Sequence, residues 1–422
     1  MRLARLLRPF SSRNYRLYFG GQIVSLVGTW MTQTASLWLA YKLTGSALLL
    51  GLVGFASQVP SFLLGPLAGV WVDRVDRYRL LLLTQFLSMA QSLALAWFAL
   101  RGTMTIGHLL VLSLAQGVIN AFDMPTRQSL VTRFVPDREH LGSAIALNSS
   151  MFNMARLVGP ALGGWLVAQY GAGFCYLFDG ASYVAVLVAL LLMRLPPLPP
   201  SPPRRHPWVE FREGISYAFG FAPIRALVVN ISLLSFCAFS FATLAPVFAR
   251  DIFHGDARTL GWLMSASAVG SVIGAVWLGG RPSIKGLGLV ICAGGLLVGA
   301  GQIAYSFSRA LPVALPVLAF VGAGGILVMA SSNTLLQSMV DDAKRGRVMS
   351  LFTMAFMGTA PLGSLAFGAL AHVAGAPRAV TVSGVLALAA TVLFWSQLPR
   401  LREAARAHFA RQREMAGVPD EG

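Results

Sequence analysis

The chain has 422 residues, of which 56% are hydrophobic and only 12% charged, against roughly a quarter charged in a soluble domain. That deficit, with apolar runs of twenty or more residues, excludes a soluble globular protein, because too little polar surface is left to face water. The formal net charge of +17 would suit a nucleic-acid binder, but its placement along the chain excludes that as well.

In chain order, the first feature is "RLARLLRPFSSR" at residues 2–13, which reads as a short interfacial helix with Leu3, Leu6, Leu7 and Phe10 toward lipid. The apolar stretch after it has no small-residue cleavage site, so it reads as a retained first helix rather than a signal peptide. Twelve spans follow, with rough limits 17–41, 47–71, 79–100, 106–126, 143–169, 174–193, 226–249, 259–280, 287–307, 311–333, 347–372 and 378–397. Each has about the 20 residues that a hydrocarbon core requires. The expected fold class is all-α: twelve transmembrane helices in two six-helix pseudo-repeats. Residues 1–193 form the N-terminal six-helix bundle, and 194–225 a cytoplasmic linker rich in Pro and Arg, with an amphipathic helix over 208–221. Residues 226–397 form the C-terminal bundle and 398–422 a basic tail. The linker prolines forbid a continuous helix and make an extended tether.

Lys and Arg alternate along this order. Twenty-six lie in the N-terminus, the tail and every second gap, six in the other gaps, and one, Arg156, inside a span. Such alternation places both termini in the cytoplasm and accounts for the basic excess as topology and contact with anionic lipid. Three scattered cysteines, Cys175, Cys237 and Cys292, give neither a disulfide framework nor metal-ligand spacing.

Between spans two and three lies "GVWVDRVDRYR", residues 69–79. Its Gly69, Asp73, Arg74, Arg77 and Arg79, at this place in the order, resemble the signature loop of the major facilitator superfamily. Asp76 stands where that family usually has glycine, a variant found in exporter branches. A second motif, Gly159-Pro160-x-x-Gly163-Gly164 in span five, resembles one associated with drug antiporters. With "ALNSSMFNMARLVGPALGG" around it, the chain is similar over nearly its whole length to the branch containing the enterobactin exporter and related drug efflux proteins. The halves also echo each other weakly, "TRQSLV" at 126–131 against "TLLQSMV" at 334–340. Parallel six-span repeats are a common plan of secondary transporters, with cargo held near the midplane between them.

The resemblance implies export of hydrophobic drug-like compounds or a siderophore by alternating access, coupled to an ion, at a bacterial inner membrane. It also implies that the Asp73 carboxylate meets the positive end of helix 11, near Arg347, so that Gly69, Asp73, Arg74, Asp76, Arg77 and Arg79 form a latch closing the cytoplasmic side. The alternative is that these charges only anchor topology. Physically, Gly69 admits a close helix and the arginines can make charge-assisted hydrogen bonds. In span five, Pro160 bends the helix and Gly159, Gly163 and Gly164 permit tight packing, a seal or hinge for the outer half rather than a cargo site.

Polar residues inside spans fall on stripes at helical spacing. Gln22, Ser25, Thr29, Gln33 and Ser36 recur in span one; Ser113, Gln116, Asn120, Asp123 and Arg127 in span four. The family lines its cavity with helices 1, 4, 7 and 10. The candidate lining is therefore Gln22, Thr29, Gln33, Gln116, Asn120, Phe152, Asn230, Phe236, Phe239, Asn333 and Gln337, with Trp30 an aromatic that could stack on cargo. The competing reading is hydrogen bonding between helices. Arg156, Asp123 and Asp179 are intramembrane charges, functional by default, and are candidates for coupling or cargo contact. Helical rise separates Arg156 and Asp179 by about 10 Å in depth, so a direct pair is not expected; a bridge through water, Gln or Asn, and a purely structural tie for Arg156, stay open. Ser113 fills a slot where many proton-coupled members have arginine, which leaves Asp123 or Asp179 to carry any proton.

No Walker loop, H-E-x-x-H or G-x-S-x-G appears, so neither an ATP-driven pump nor a hydrolase is expected, and no cofactor. The expected partners are a small-molecule cargo, membrane lipids and protons, with no nucleic acid and no metal. A monomer suffices physically. Two rivals stay open: a lysophospholipid or other lipid transporter on the same fold, and a transport-inactive sensor, which would need a larger output domain than a tail of about 25 residues.

Overall fold

The computed structural model describes residues 8–72, 74–134, 138–193, 216–238, 240–281, 283–340 and 342–415. Among them every regular element is helical. A 3₁₀ turn at Arg8–Ser11 leads into α1 (Arg13–Thr44), followed by α2 (Ala47–Val72), α3 (Arg77–Leu100), α4 (Ile106–Phe134), α5 (Arg138–Tyr170) and α6 (Ala172–Leu192). After the linker come α7 (Ala222–Ala238) and α8 (Ser240–Val247), which ends in a π-helical turn, Phe248–Ile252. Then follow α9 (Ala257–Gly279), α10 (Leu287–Phe307), α11 (Leu311–Met339), α12 (Asp342–Ala374) and α13 (Ala376–Met415). The interfacial segment falls largely outside the described residues, as does most of the expected linker helix, of which a helical turn is seen at 216–220.

Ten segments are long and apolar enough to cross a membrane, with α7, α8 and the π turn counting as one. Two more helices, α1 and α5, have the length, about 48 and 50 Å at 1.5 Å per residue, but not the hydropathy. The reason is their composition: α1 carries Arg13, Arg16, Gln22, Thr29 and Gln33, and α5 carries Asn148, Ser149, Ser150, Asn153 and Arg156. The ten and these two together are consistent with twelve spans. Large apolar side chains such as Leu63, Val111, Leu191, Val276 and Phe307 are exposed on the outside, where lipid replaces water as solvent.

Tight turns join the helices at the end opposite the basic loops, here the far end. Gly45 closes α1 with φ +61°, its N–H donating to the Tyr41 carbonyl at 2.8 Å. The α5–α6 and α12–α13 junctions are each a single glycine, Gly171 and Gly375, with φ near +89° and +88°. An L side chain rarely adopts that conformation, and the same device stands at the fifth-to-sixth and eleventh-to-twelfth crossings. The basic tail expected from residue 398 is helical where it begins, since α13 continues through Pro399 to Met415. The sequence after Pro399 is rich in Ala, Arg, Glu and Gln, strong helix formers.

The apolar core is unequal along the membrane normal. At the far end one buried cluster joins the first six helices to the rest. It contains Met31, Ala35, Leu50, Val53 and Tyr176 together with Leu244, Phe248, Leu260, Leu318 and Val380. At the basic end two larger clusters stand apart, with a small third one at Leu287, Val290 and Leu327 of the later helices. One is built from α1, α3, α4, α5 and α6 around Tyr15, Leu81, Phe134 and Leu190. The other draws on α7, α10, α11, α12 and α13 around Ile231, Val328, Phe352 and Phe394.

Candidate functional site

Glycines set the seam between the early and late helices. On α2 and α12, a Cβ at Gly368 would lie 2.8 Å from the Gly51 Cα and 2.9 Å from the Ala47 carbonyl, so the backbones touch. On α5 and α9, Gly164 abuts the backbone of Ala257 and Gly261, and Gly261 abuts the Pro160 carbonyl. The Ser265 hydroxyl donates to the Leu157 carbonyl at 2.8 Å. The Gly-Pro-x-x-Gly-Gly segment therefore has two faces. Gly159 and Gly163 seat α1 at Trp30 and Met31, while Gly164 seats α9. Small residues at such crossings let van der Waals packing do what the hydrophobic effect cannot do in lipid.

A polar clasp that the sequence analysis missed closes the far end. Tyr41, near the end of α1, donates its hydroxyl to the Asp251 carboxylate in the π turn after α8. The Arg250 guanidinium lies 5.7 Å from the Tyr41 ring centroid. Both partners stand next to tight turns, and only the presence of two aromatic or charged groups in otherwise apolar segments could have drawn attention to them.

The stripe residues divide between interior and interface. Gln22 and Ser25 are buried, and Ser36 bonds the Tyr176 hydroxyl at 3.1 Å, so these three serve contacts within the first six helices. Gln22 lines a small cavity shared with Tyr18, Gln85 and Arg127. Thr29 and Gln33 are exposed. On α4, Gln116 donates to Asn120 Oδ1 at 3.0 Å and to Ser88 at 3.3 Å. Gln337 donates to Asn333 Oδ1 at 3.3 Å on α11. Asn230 is buried, with neither side-chain atom partnered among the described residues. Phe236 is half-buried against Phe367, centroids 5.3 Å apart. Phe239 lies outside the described residues.

Three intramembrane charges have distinct surroundings. Asp123 is saturated: Oδ1 accepts from Thr84 Oγ1 at 2.8 Å and Gln85 Nε2 at 2.6 Å, and Oδ2 accepts from Arg127 Nη2 at 2.6 Å and Nε at 3.1 Å. Asp179 is buried between α1, α3 and α6. Its Oδ2 accepts from Ser92 at 2.8 Å, while Oδ1 has no donor within hydrogen-bond distance among the described residues. A Cβ at Gly28 would stand 2.8 Å from that Oδ1, so only glycine fits opposite it. Arg156 has no hydrogen-bond or carboxylate partner among the described residues. Its guanidinium lies 6.0 Å from the Trp30 ring centroid, and Trp30 meets Phe152 edge to face at 5.7 Å. Arg156 sits two residues from the midpoint of α5, where an arginine costs about 3 kcal/mol to place in a bilayer. Arg156 and Asp179 are not paired, as their depths foretold.

Of the expected latch, Asp73 lies outside the described residues, and Gly69 is described only as part of α2. Asp76 caps α3, its Oδ1 accepting from Tyr78 N at 2.9 Å and Arg79 N at 3.2 Å, with Arg79 Nε 3.7 Å from Oδ2. Arg74 and Arg79 are exposed and Arg77 is half-buried. Among the described residues no cluster of His, Cys, Asp or Glu could hold a metal, and the three cysteines are free and buried.

A helical bundle with glycine seams between its early and late helices and unmatched charge at mid-depth is the architecture of a membrane transporter. Residues 4–419 match the transmembrane secretion effector family, and the chain belongs to it, within the major facilitator superfamily. Over 384 residues it is 25% identical to the staphyloferrin A transporter of Staphylococcus aureus (strain NCTC 8325 / PS 47), covering 90% of this chain and 95% of that protein. It is 24% identical over 389 residues to the multidrug efflux pump Tap of Mycolicibacterium fortuitum, covering 89% and 93%. A solved POT family transporter in complex with 5-aminolevulinic acid superposes with a TM-score of 0.74 at 12% identity, covering 92% of this chain and 97% of that one, which speaks to the fold. The chain is thus a multi-pass membrane protein of a transporter family whose relatives include a staphyloferrin A transporter and drug efflux proteins.

Proposed function

We propose that this chain exports small amphipathic molecules across a bacterial inner membrane by alternating access, with the basic end in the cytoplasm. The observation that carries the reading is the unequal core: among the described residues, one shared cluster lies at the far end and the basic-end clusters each stay within one half. A carrier resting with its far end closed and its basic end parted receives cargo from the basic side. The alternation of Lys and Arg places that side in the cytoplasm. In the opposite state, residues 1–193 and 226–397 rock as units, the Tyr41–Asp251 clasp breaks, and the loop from Gly69 to Arg79 latches the basic end through Asp73. Asp179, with an unfilled carboxylate oxygen in a helix interface, is the group assigned to ion coupling.

The test uses the far end as a lock. In a background with the three native cysteines replaced by serine, Tyr41→Cys with Asp251→Cys is oxidised across the clasp. Cells expressing the reduced pair should retain less of a hydrophobic dye than cells without the protein. Oxidation should abolish that difference, and reductant should restore it. Dye retention indifferent to the crosslink would sink the alternating-access reading. Asp179→Asn should leave dye binding intact and remove the dependence of efflux on the proton gradient; unaltered dependence would remove Asp179 from coupling.

A further inference from the structure

We propose that the mid-membrane site between α1 and α5 selects an organic anion, a carboxylate carried on a flat apolar or aromatic body, through Arg156, Trp30 and Phe152. The inference rests on the export reading for what becomes of the ligand, but its geometry stands independently.

The charge balance of the interior is the starting point. A guanidinium in a span is ordinarily found with a carboxylate or with carbonyl oxygens, and Arg127 shows the usual solution, a two-nitrogen grip on Asp123 four residues away. Arg156 has no such partner among the described residues. Neither intramembrane carboxylate is free to serve it: Asp123 accepts four hydrogen bonds from its own surroundings, and Asp179 is buried behind Gly28 with Ser92 as its donor. The neighbourhood of Arg156 therefore carries one uncompensated positive charge. An anion is the ligand that such a site stabilises, and a planar guanidinium fork matches a carboxylate in two parallel hydrogen bonds.

The apolar component comes from the same turn of helix. Phe152 is one turn before Arg156 on α5 and is 46% exposed, which leaves part of its ring open beside the guanidinium. Its edge-to-face partner Trp30 is fixed from behind, because Gly159 abuts the Trp30 Cβ. Trp30 and Phe152 thus form a rigid aromatic corner with the guanidinium at its edge. Ser149 and Asn153 continue the same stripe toward the basic end, both with polar groups, and Asn153 Nδ2 donates to the Ser149 carbonyl at 2.8 Å. Pro160 has no N–H for the carbonyl of Arg156, four residues earlier, which leaves a backbone acceptor in the same turn for a hydroxyl on the ligand. A cation would meet the opposite: Asp123 and Asp179 are withdrawn into their own contacts and the Arg156 guanidinium repels it.

The test measures binding of three isosteric probes to the purified full-length protein in nanodiscs: 1-naphthoate, neutral 1-naphthamide and the cation 1-naphthylmethylammonium. Saturable binding should rank naphthoate above the amide and the amide above the cation. Arg156→Gln should weaken naphthoate at least tenfold while leaving the amide within twofold, and Arg156→Lys should restore part of the loss. Phe152→Ala should weaken naphthoate and naphthamide alike. Tighter binding of the cation, naphthoate binding indifferent to Arg156→Gln, or no saturable naphthoate binding to the wild type would each overturn the proposal. Efflux of the same probes from cells separates the two readings. Export of the cation without the anion leaves the exporter standing and ends the anion site. Arg156-dependent naphthoate binding without export leaves the site standing and ends the exporter.

Discussion

The two ends of this molecule are held by different means. At the far end, early and late helices are joined directly: glycine backbones touch across α2–α12 and α5–α9, an apolar cluster crosses the boundary, and Tyr41 binds Asp251. At the basic end the polar contacts described in the first six helices are internal to that bundle. Tyr15 donates to the Ala144 carbonyl at 3.2 Å, Tyr78 to the Leu190 carbonyl at 2.7 Å, and Arg127 holds Asp123. On the export reading proposed above, the contacts that would break in each cycle are those of the seam, whereas the polar contacts internal to each bundle would persist.

The largest expected effect comes from breaking an internal contact. Asp123→Ala leaves Arg127 as an unpaired cation among Tyr18, Gln22 and Gln85, and removing one partner of a buried pair costs about 3–5 kcal/mol. The purified protein should melt at a clearly lower temperature, and adding Arg127→Met should recover much of the loss. A wild-type melting curve for Asp123→Ala would mean that water already reaches this pair.

Next is the seam. A leucine at Gly164 must displace the Ala257 backbone, and overpacking of this kind costs about 1–3 kcal/mol. The cost falls on the closed far end and not on either bundle. Ala35→Cys places a thiol reporter at a fully buried position. In the Gly164→Leu background that thiol should become reactive to an impermeant maleimide applied from outside, with little change in melting temperature. Equal protection in both backgrounds would show that the seam is held elsewhere. Tyr41→Phe acts in the same direction with less force. It removes a hydrogen bond to a charged acceptor, about 1.5–3 kcal/mol in favourable cases and less where Asp251 can turn to water, so its maleimide reactivity should fall between wild type and Gly164→Leu.

How much of this was legible in the sequence depends on how local the signal is. The spans, the Gly-Pro-x-x-Gly-Gly packing and the presence of Arg156 inside a span could be read directly, because length, small residues and a charge in an apolar run are one-dimensional facts, whereas its lack of a bridging partner could not. The side of the helix was not readable. Gln22 and Ser25 share a stripe with Thr29 and Gln33, yet the first two turn into a buried interface while the others are exposed. A 3.6-residue period reports that a polar face exists, not whether a neighbouring helix covers it. Tyr41 and Asp251 lie 210 positions apart, each beside a turn, where a polar residue draws no notice until the turns are brought together.

The smallest predicted effect bears on the basic end, where a single residue has two candidate duties. Asp76 caps α3 by accepting from Tyr78 N and Arg79 N, and the family resemblance also places it in the latch. Capping alone makes Asp76→Ala worth about 1 kcal/mol of stability, a small drop in melting temperature. Asp76→Ser separates the duties, since serine caps nearly as well but carries no charge. If Asp76 only caps, the serine variant should match wild type in both melting and efflux, and the alanine variant should lose a little of each. If its charge also serves the latch, serine should restore the melting temperature but not efflux. The first outcome would make the basic end a place where each half ends neatly by itself. The second would give that end a cross-half contact that forms only when the far end opens, the counterpart of the Tyr41–Asp251 clasp.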